Sequence, residues 1–467
     1  MNTGTNILTL TDSYKTSHYK QYPPNTEKVF SYFESRGGLF DSVVFYGLQP
    51  MLMFLESVRI TTDKINSAEK LIDMHMGKGI FNRKGWEYIR DAHDGKLPII
   101  IKAVAEGTVV PVGNALMTVE NTDNECYWLT NYLETYLSQV WYPCTVATLS
   151  REIKKLILAN LEHTGTPELI DFKLHDFGYR GSSSVQSAVI GGSAHLINFK
   201  GTDTMGALEY IQEFYSDDNF MAGFSIPAAE HSTITAWGRD NEVVAFENML
   251  NQYPTGLVAI VSDSYDIYTA CRELWGRQLR DKVLNREDGF VVIRPDSGEP
   301  TEVIMKILEI LGNAFGHSTN DKGYKVLHPK IRIIQGDGVD IDSIRNILFT
   351  MKCNGWSGDN VAFGMGGGLL QKVNRDTQKF AFKCSSVTIS GKEVDVYKQP
   401  IDMPWKQSKA GRLKTIKIST AEGISWITVP ESTPPHTHMR NMLHTVFLNG
   451  QMTEYITFNN IRDNAGL

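Results

Sequence analysis

Acids, arginines and a run of glycines stand repeatedly just after short apolar segments of this chain. The set comprises Asp176, Arg180, Asp203, His231, Asp263, Asp266, Arg294, Asp296, Asp337 and the glycines of Gly364-Met-Gly-Gly-Gly368. Glycines let backbone N–H groups approach an anion without a Cβ in the way. With Lys372 and Arg375 behind it, the 364–368 loop therefore suits a monophosphate. It is not a P-loop, which needs Gly-Lys-Ser/Thr, nor a dinucleotide fingerprint, because Leu369 occupies the third glycine position. Arg294-Pro-Asp296 offers a cation for phosphate or diphosphate beside a carboxylate able to accept from ribose hydroxyls. A surface ion pair ahead of a helix is the plainer alternative. A lone acid after a strand usually caps the next helix, which is the reading for Asp340 and Asp342. Nothing local to His231 demands catalysis. His436-Thr-His438 lacks a suitably spaced carboxylate or cysteine, and no HExxH, GxSxG or zinc set occurs.

The elements that must position these residues alternate. Gly256-Leu-Val-Ala-Ile-Val261, Phe290-Val-Val-Ile293, the apolar run at 331–334 and Val361-Ala-Phe363 are short and continuously apolar. All but the last lead into amphipathic helical patterns, and the segments at 172–177 and 223–226 fit the same rhythm. Such runs are parallel strands covered on both faces. About seven βα units predict an irregular, TIM-like barrel, with chemistry at the C-terminal strand ends and phosphate on the last loops. A doubly wound sheet is the structural alternative. Elsewhere the pattern changes to antiparallel hairpins, at 97–119 and where Thr420-Ala-Glu-Gly423 separates two apolar runs. The expected division is a barrel domain at 151–384 and an antiparallel-rich α+β domain from 1–150 plus 385–467.

Bulk properties exclude several classes. A chain of 467 residues, 42% hydrophobic and 21% charged, is an ordinary globular protein. Its net charge of -7 argues against nucleic acid as main ligand but leaves room for one basic pocket. Five scattered cysteines without a CxxC spacing fit a reducing compartment. With no signal-peptide pattern and no long apolar run, a soluble cytoplasmic protein is expected.

Longer motifs carry a resemblance. Thr11-Asp-Ser-Tyr-Lys15, His18-Tyr-Lys-Gln-Tyr22, Lys173-Leu-His-Asp-Phe-Gly-Tyr-Arg-Gly181, Phe199-Lys-Gly-Thr-Asp-Thr204 and Pro227-Ala-Ala-Glu-His-Ser232 are similar to the nicotinamide phosphoribosyltransferases. So are Val261-Ser-Asp-Ser-Tyr-Asp-Ile-Tyr268, Ile293-Arg-Pro-Asp-Ser-Gly298, Ile334-Gln-Gly-Asp-Gly-Val-Asp340 and Gly366-Gly-Gly-Leu-Leu-Gln-Lys372. The resemblance, spanning residues 6–464, implies a type II phosphoribosyltransferase fold and a homodimer with shared active sites. The implied reaction makes nicotinamide mononucleotide and diphosphate from nicotinamide and phosphoribosyl pyrophosphate, assisted by ATP and Mg2+, in NAD salvage.

By motif position, Phe177 and Tyr14 of the second subunit would sandwich the pyridine ring. Asp203 would accept from the carboxamide, with Arg180, Arg294, Asp12, Ser225 and Asp266 nearby. Asp296 would hold ribose hydroxyls, while Gly336, Asp337, Gly366, Gly367 and Arg375 would surround the ribose phosphate. Arg36, Lys383, Lys406 and Lys409 would reach diphosphate or ATP. His231 resembles the histidine that ATP phosphorylates. Met365 and Ala381 depart from the family, each standing where serine is usual, and the segment after Arg36 is short. The rival readings are an enzyme acting on nicotinate, a non-catalytic signalling or scaffold protein, and a barrel aldolase using Lys173 or Lys200.

Overall fold

The structure is a computed structural model describing residues 5–216, 220–398, 408–421 and 423–466. The chain forms two compact units: residues 1–148, 214–216 and 374–466 make one, and residues 149–213 with 217–373 make the other.

The second unit is the expected barrel. Among the described residues, strands Gly201–Thr202, Leu174–Asp176, Val361–Met365, Ile331–Gln335, Val291–Arg294 and Val258–Val261 pair in that order, all parallel. An irregular stretch completes the circle between the two edge strands. Phe224 pairs with Gly201 and Ala228 with Ala259, both parallel. Thr202 N donates to Phe224 O at 3.0 Å and Ala259 N to Pro227 O at 2.9 Å. The seventh segment thus lacks a regular ladder but satisfies the backbone of its neighbours. Val258–Val261 is buried throughout, as its unbroken apolar run requires.

Helices return the chain between strands. Pro300–Phe315 starts with Pro300 and the Glu299 carboxylate accepting from Glu302 N, and buries Val303, Ile304, Ile307, Leu308 and Leu311. After Val258–Val261 the chain enters a helix that widens to π geometry over Ala270–Gln278. There Trp275 stacks on Phe246, centroids 4.7 Å apart, and its Nε1 donates to Ser262 Oγ at 3.0 Å. That contact anchors the loop carrying Asp263.

The first unit centres on an antiparallel sheet in the order Lys392–Asp395, Phe380–Ile389, Thr26–Ser35, Ala115–Asn121, Ile99–Ala103, His444–Leu448, Gln451–Met452. The expected hairpin of Leu413–Thr420 with Gly423–Pro430 is present. In the 97–119 region the outer strands pair with each other, whereas Val109–Pro111 pairs separately with Ser42–Val44. Phe33, Trp86, Trp128 and Phe380 lie in the core beneath, where Phe33 and Phe380 stack at 5.2 Å.

The expected domain boundary at 385 needs correction to 374. Phe380–Ile389 pairs along its length with Thr26–Ser35, so the change of unit precedes that strand. Residues 214–216 also join the first unit. Tyr215 donates to buried Glu106 at 2.9 Å and stacks on Tyr46, while Gln49 Nε2 donates to Phe214 O at 2.6 Å.

Candidate active site

The C-terminal strand ends of the barrel bring most of the predicted residues together. Asp176, at the end of its strand, is fully buried and accepts from Gly178 N and Thr204 Oγ1, both at 2.7 Å. It ties the loop bearing Phe177 to the loop bearing Asp203. Burial pushes its carboxyl up, against those hydrogen bonds.

The Phe177 ring lies over the barrel end. The Arg294 guanidinium sits 5.5 Å from its centroid and the His175 ring 5.0 Å away. Two glycines make room. A Cβ on Gly336 would stand 3.3 Å from the ring and 3.4 Å from Arg294 Nε, and one on Gly364 would overlap the ring itself. Close approach, not positive φ, is the reason for glycine here.

A charged chain continues from Arg294. Its Nη2 donates to Asp296 Oδ1 at 2.8 Å, and Asp296 Oδ2 lies 3.8 Å from His231 Nδ1. His231 Nε2 lies 3.0 Å from Asp263 Oδ1, while Asp263 Oδ2 accepts from Asp296 N at 3.0 Å and Ser297 Oγ at 2.6 Å. The Asp263 side chain is 3% exposed but that of His231 is 47% exposed, so the imidazole remains within reach of a reactant. Arg294 and Asp296 are about four-fifths buried, so their pair is not the surface ion pair that the motif alone allowed. Arg294 Nε is buried without a partner. Nearby Glu242 is pushed up to about 7, first by its burial and then by the negative charges of Asp263 and Asp266.

Asp203 faces the same space. His175 Nε2 lies 3.0 Å from its Oδ1, and Ser225 Oγ donates to that oxygen at 2.5 Å. Burial works against ionisation of Asp203, but His175, Ser225 and the charge of Arg294 outweigh it and hold the carboxyl below its ordinary value. His175, Phe177, Asp203, Ser225 and Arg294 border a largely apolar cavity of about 600 Å³ that runs into the barrel. A flat aromatic ligand with a polar substituent matches that lining.

The glycine loop closes another side. A Cβ on Gly366 would meet Phe177 O at 3.6 Å, and one on Gly181 would meet Gly367 N at 3.3 Å, so the loops carrying Arg180 and Gly367 are in contact. Met365 is buried, with its methyl under Gly368, so its bulk fills the core and leaves the backbone of the cradle open. Arg180 and Asp337 are exposed beside these loops.

Other predicted residues go elsewhere. The Asp266 carboxylate is occupied as a helix cap, accepting from Tyr268 N at 2.9 Å and Thr269 Oγ1 at 2.7 Å. Both acids in that loop stand in the set of strand-end residues, but Asp263 is the one on His231, whereas the resemblance implied a role only for Asp266. The signal for Asp263 was only the position immediately after Val261-Ser262. His175 was missed, because a strand histidine looks like core. Asp340 caps its helix, as expected for a lone acid. Of the two aldolase candidates, Lys200 Nζ pairs with Asp171 at 2.7 Å, and Lys173 is buried with Nζ donating to Gly358 O, Asp359 O and Val361 O at 2.9–3.1 Å. It is engaged in structure and is not a free amine.

Asp12, Tyr14, Arg36, Arg375, Lys383 and Lys409 belong to the first unit. Tyr14 is 58% exposed, a presented aromatic ring. Asp12 accepts from Thr135 Oγ1 at 2.6 Å. Arg36 Nε donates at 3.0 Å to buried Glu34, which also receives Lys409 Nζ, and Arg36 Nη2 is buried without a partner. Lys383 and Arg375 are exposed, and Lys406 lies outside the described residues. Among the described residues one grouping offers three potential metal ligands: His93, Asp123 and Cys126. Asp123 there already accepts from Tyr88, His93 and Glu125 N.

Residues 172–451 match the nicotinate phosphoribosyltransferase family, and residues 6–101 match the nicotinamide phosphoribosyltransferase N-terminal domain. The chain is 50% identical over 464 residues to the nicotinamide phosphoribosyltransferase of Xanthomonas campestris, covering 98% of each chain. It is 32% identical to the enzyme of that name from Acinetobacter baylyi, covering 98% of this chain and 96% of the relative. Among solved structures, nicotinate-nucleotide pyrophosphorylase from Pyrococcus furiosus superposes with a TM-score of 0.62 at 15% identity, covering 100% and 96% of the two chains. Human nicotinic acid phosphoribosyltransferase does so at 0.61 and 14%, covering 98% and 92%. These two establish likeness of fold. Among the described residues no helix is long and apolar enough to cross a membrane.

Proposed function

This chain belongs to the nicotinate phosphoribosyltransferase family, and we propose that within it the chain uses nicotinamide, forming nicotinamide mononucleotide and diphosphate from phosphoribosyl pyrophosphate in NAD salvage. The observation that carries the choice of nicotinamide is Asp203. An ionised carboxylate with one oxygen engaged by His175 and Ser225 accepts from an amide N–H and repels a nicotinate carboxylate.

The pyridine nitrogen already holds a lone pair, so its attack on ribose C1 needs neither a general base nor a covalent nucleophile. Catalysis reduces to positioning the ring and stabilising charge on the diphosphate as the C1–O bond breaks. Phe177 orients the ring by stacking, joined by Tyr14 of a second copy, whose 58% exposure suits that role. Asp296 accepts from ribose hydroxyls, Arg294 screens the phosphates, and Gly336, Asp337, Gly366 and Gly367 receive the ribose phosphate. Arg36, Lys383, Lys406 and Lys409 of the second copy bind diphosphate or ATP, so the working form is a homodimer. Five free cysteines agree with a cytoplasmic setting.

His231 takes the γ-phosphoryl group of ATP onto an imidazole nitrogen, releasing ADP. Its partly open ring, oriented by Asp263, suits this step. The Asp263 and Asp296 carboxylates beside His231 suit a hard divalent cation. Asp296 and phosphorylated His231 would hold Mg2+, which supplies positive charge against the diphosphate.

Incubation with phosphoribosyl pyrophosphate, Mg2+ and either nicotinamide or nicotinate, with and without ATP, tests the reading. Mononucleotide is expected from nicotinamide, faster with ATP. Equal turnover of nicotinate would refute the amide assignment, and no product from either would favour the scaffold reading.

A further inference from the structure

The Asp203 carboxylate depends on a neighbour that does not itself hold the amide. His175 lies on Leu174–Asp176, opposite Gly201 in the adjacent strand. Its Nε2 reaches Asp203 Oδ1 at 3.0 Å, and its side chain is 16% exposed. Its Nδ1 is packed over Gly201, where any Cβ would stand 2.7 Å away. The ring also leans on Phe177, centroids 5.0 Å apart at 52°. Because Asp203 is ionised and can only accept, Nε2 is the nitrogen that carries the proton. Oδ1 is then engaged twice, by the imidazole and by Ser225 Oγ. Substrate is left with Oδ2.

We propose that His175 is a positioning residue for substrate choice: it fixes the rotation of the Asp203 carboxylate, directs Oδ2 at the carboxamide, and so sets the preference for amide over acid. The inference rests on the reading of Asp203 as the amide acceptor. Without the imidazole, Asp203 retains its charge but loses one of two restraints. Selectivity falls because the acceptor is misdirected, not because it is gone. Gly201 contributes by leaving the space in which the ring stands.

The readout is the ratio of kcat/KM for nicotinamide to that for nicotinate, measured for the full-length enzyme and for His175→Leu, His175→Gln, Asp203→Ala and the His175→Leu/Asp203→Ala double variant. His175→Leu should lower the ratio by about 10-fold, chiefly through the nicotinamide KM, as expected for loss of a hydrogen bond to a charged group. His175→Gln, which can place an N–H near the Nε2 position, should recover most of the ratio. In the Asp203→Ala background His175→Leu should have no further effect, since there is no carboxylate left to direct. The KM for phosphoribosyl pyrophosphate should not move. A His175→Leu effect that persists undiminished in the Asp203→Ala background would overturn the proposal, as would an unchanged ratio in a folded His175→Leu. If His175→Leu does not fold, His175→Ala is read in its place: a lowered ratio in a folded variant with an unchanged phosphoribosyl pyrophosphate KM supports the role, and an unchanged ratio contradicts it. Should Asp203→Ala itself keep the wild-type ratio, the failure lies in the amide-acceptor reading and the proposal falls with it.

Discussion

Gly364→Ala should disable the nicotinamide site by moving one ring. An added Cβ would overlap Phe177 Cε2 and Cδ2 and reach Cζ at 2.9 Å, whereas at Gly336 the nearest ring atom would be 3.3 Å away. No positive φ is involved at either position, so the penalty is steric and not conformational. Overpacking of this kind costs about 1–3 kcal/mol, or about 5- to 150-fold in affinity if the ring is displaced instead. Gly336→Ala needs only a few tenths of an ångström of adjustment and should cost less. The assay is steady-state kinetics with both substrates varied, alongside thermal unfolding. The expected pattern is a raised nicotinamide KM for Gly364→Ala, a smaller rise for Gly336→Ala, and little change in the phosphoribosyl pyrophosphate KM. Adding Phe177→Ala to Gly364→Ala should recover thermal stability without recovering nicotinamide affinity. A Gly364→Ala enzyme with wild-type nicotinamide KM would refute the claim that Phe177 must lie where it does.

Three other outcomes follow from the geometry. His231→Ala should abolish stimulation by ATP while leaving slower ATP-independent turnover, read by assaying product with and without ATP; loss of both activities in a folded variant would place His231 in the transfer step itself. Asp203 is depressed in the folded state, so it contributes stability fully present above its unfolded value of about 3.9 and lost as pH falls through the lower folded value. The stability difference between wild type and Asp203→Asn, from urea unfolding, should therefore be flat from pH 7 to 5 and shrink only under more acid conditions. Lys173→Met would strand three backbone carbonyls and should destabilise by about 3 kcal/mol, measured by urea unfolding; full stability would mean those bonds contribute nothing.

What was legible in the sequence was set by local chemistry. Continuous apolar strands such as Val258–Val261 announce a buried parallel sheet, and the acids and glycines after them fall at one barrel end because the topology allows nothing else. What was not legible depended on long-range pairing. Asp263 and Asp266 stand three residues apart in one loop. Only the folded chain shows that Asp266 serves its own helix while Asp263 reaches His231 across 32 positions. The domain boundary was misplaced because the partner of Phe380–Ile389 lies near the other end of the chain, in Thr26–Ser35. Met365 departs from the family beside the glycines, but strand alternation turns its side chain into the core.

A crystal structure of the enzyme with nicotinamide mononucleotide tests the central claim most directly. The pyridine should lie on Phe177 with its carboxamide nitrogen hydrogen-bonded to Asp203, the ribose hydroxyls on Asp296, and the phosphate against Gly366 and Gly367. A mononucleotide bound away from Phe177, or with its carboxamide turned from Asp203, would contradict it.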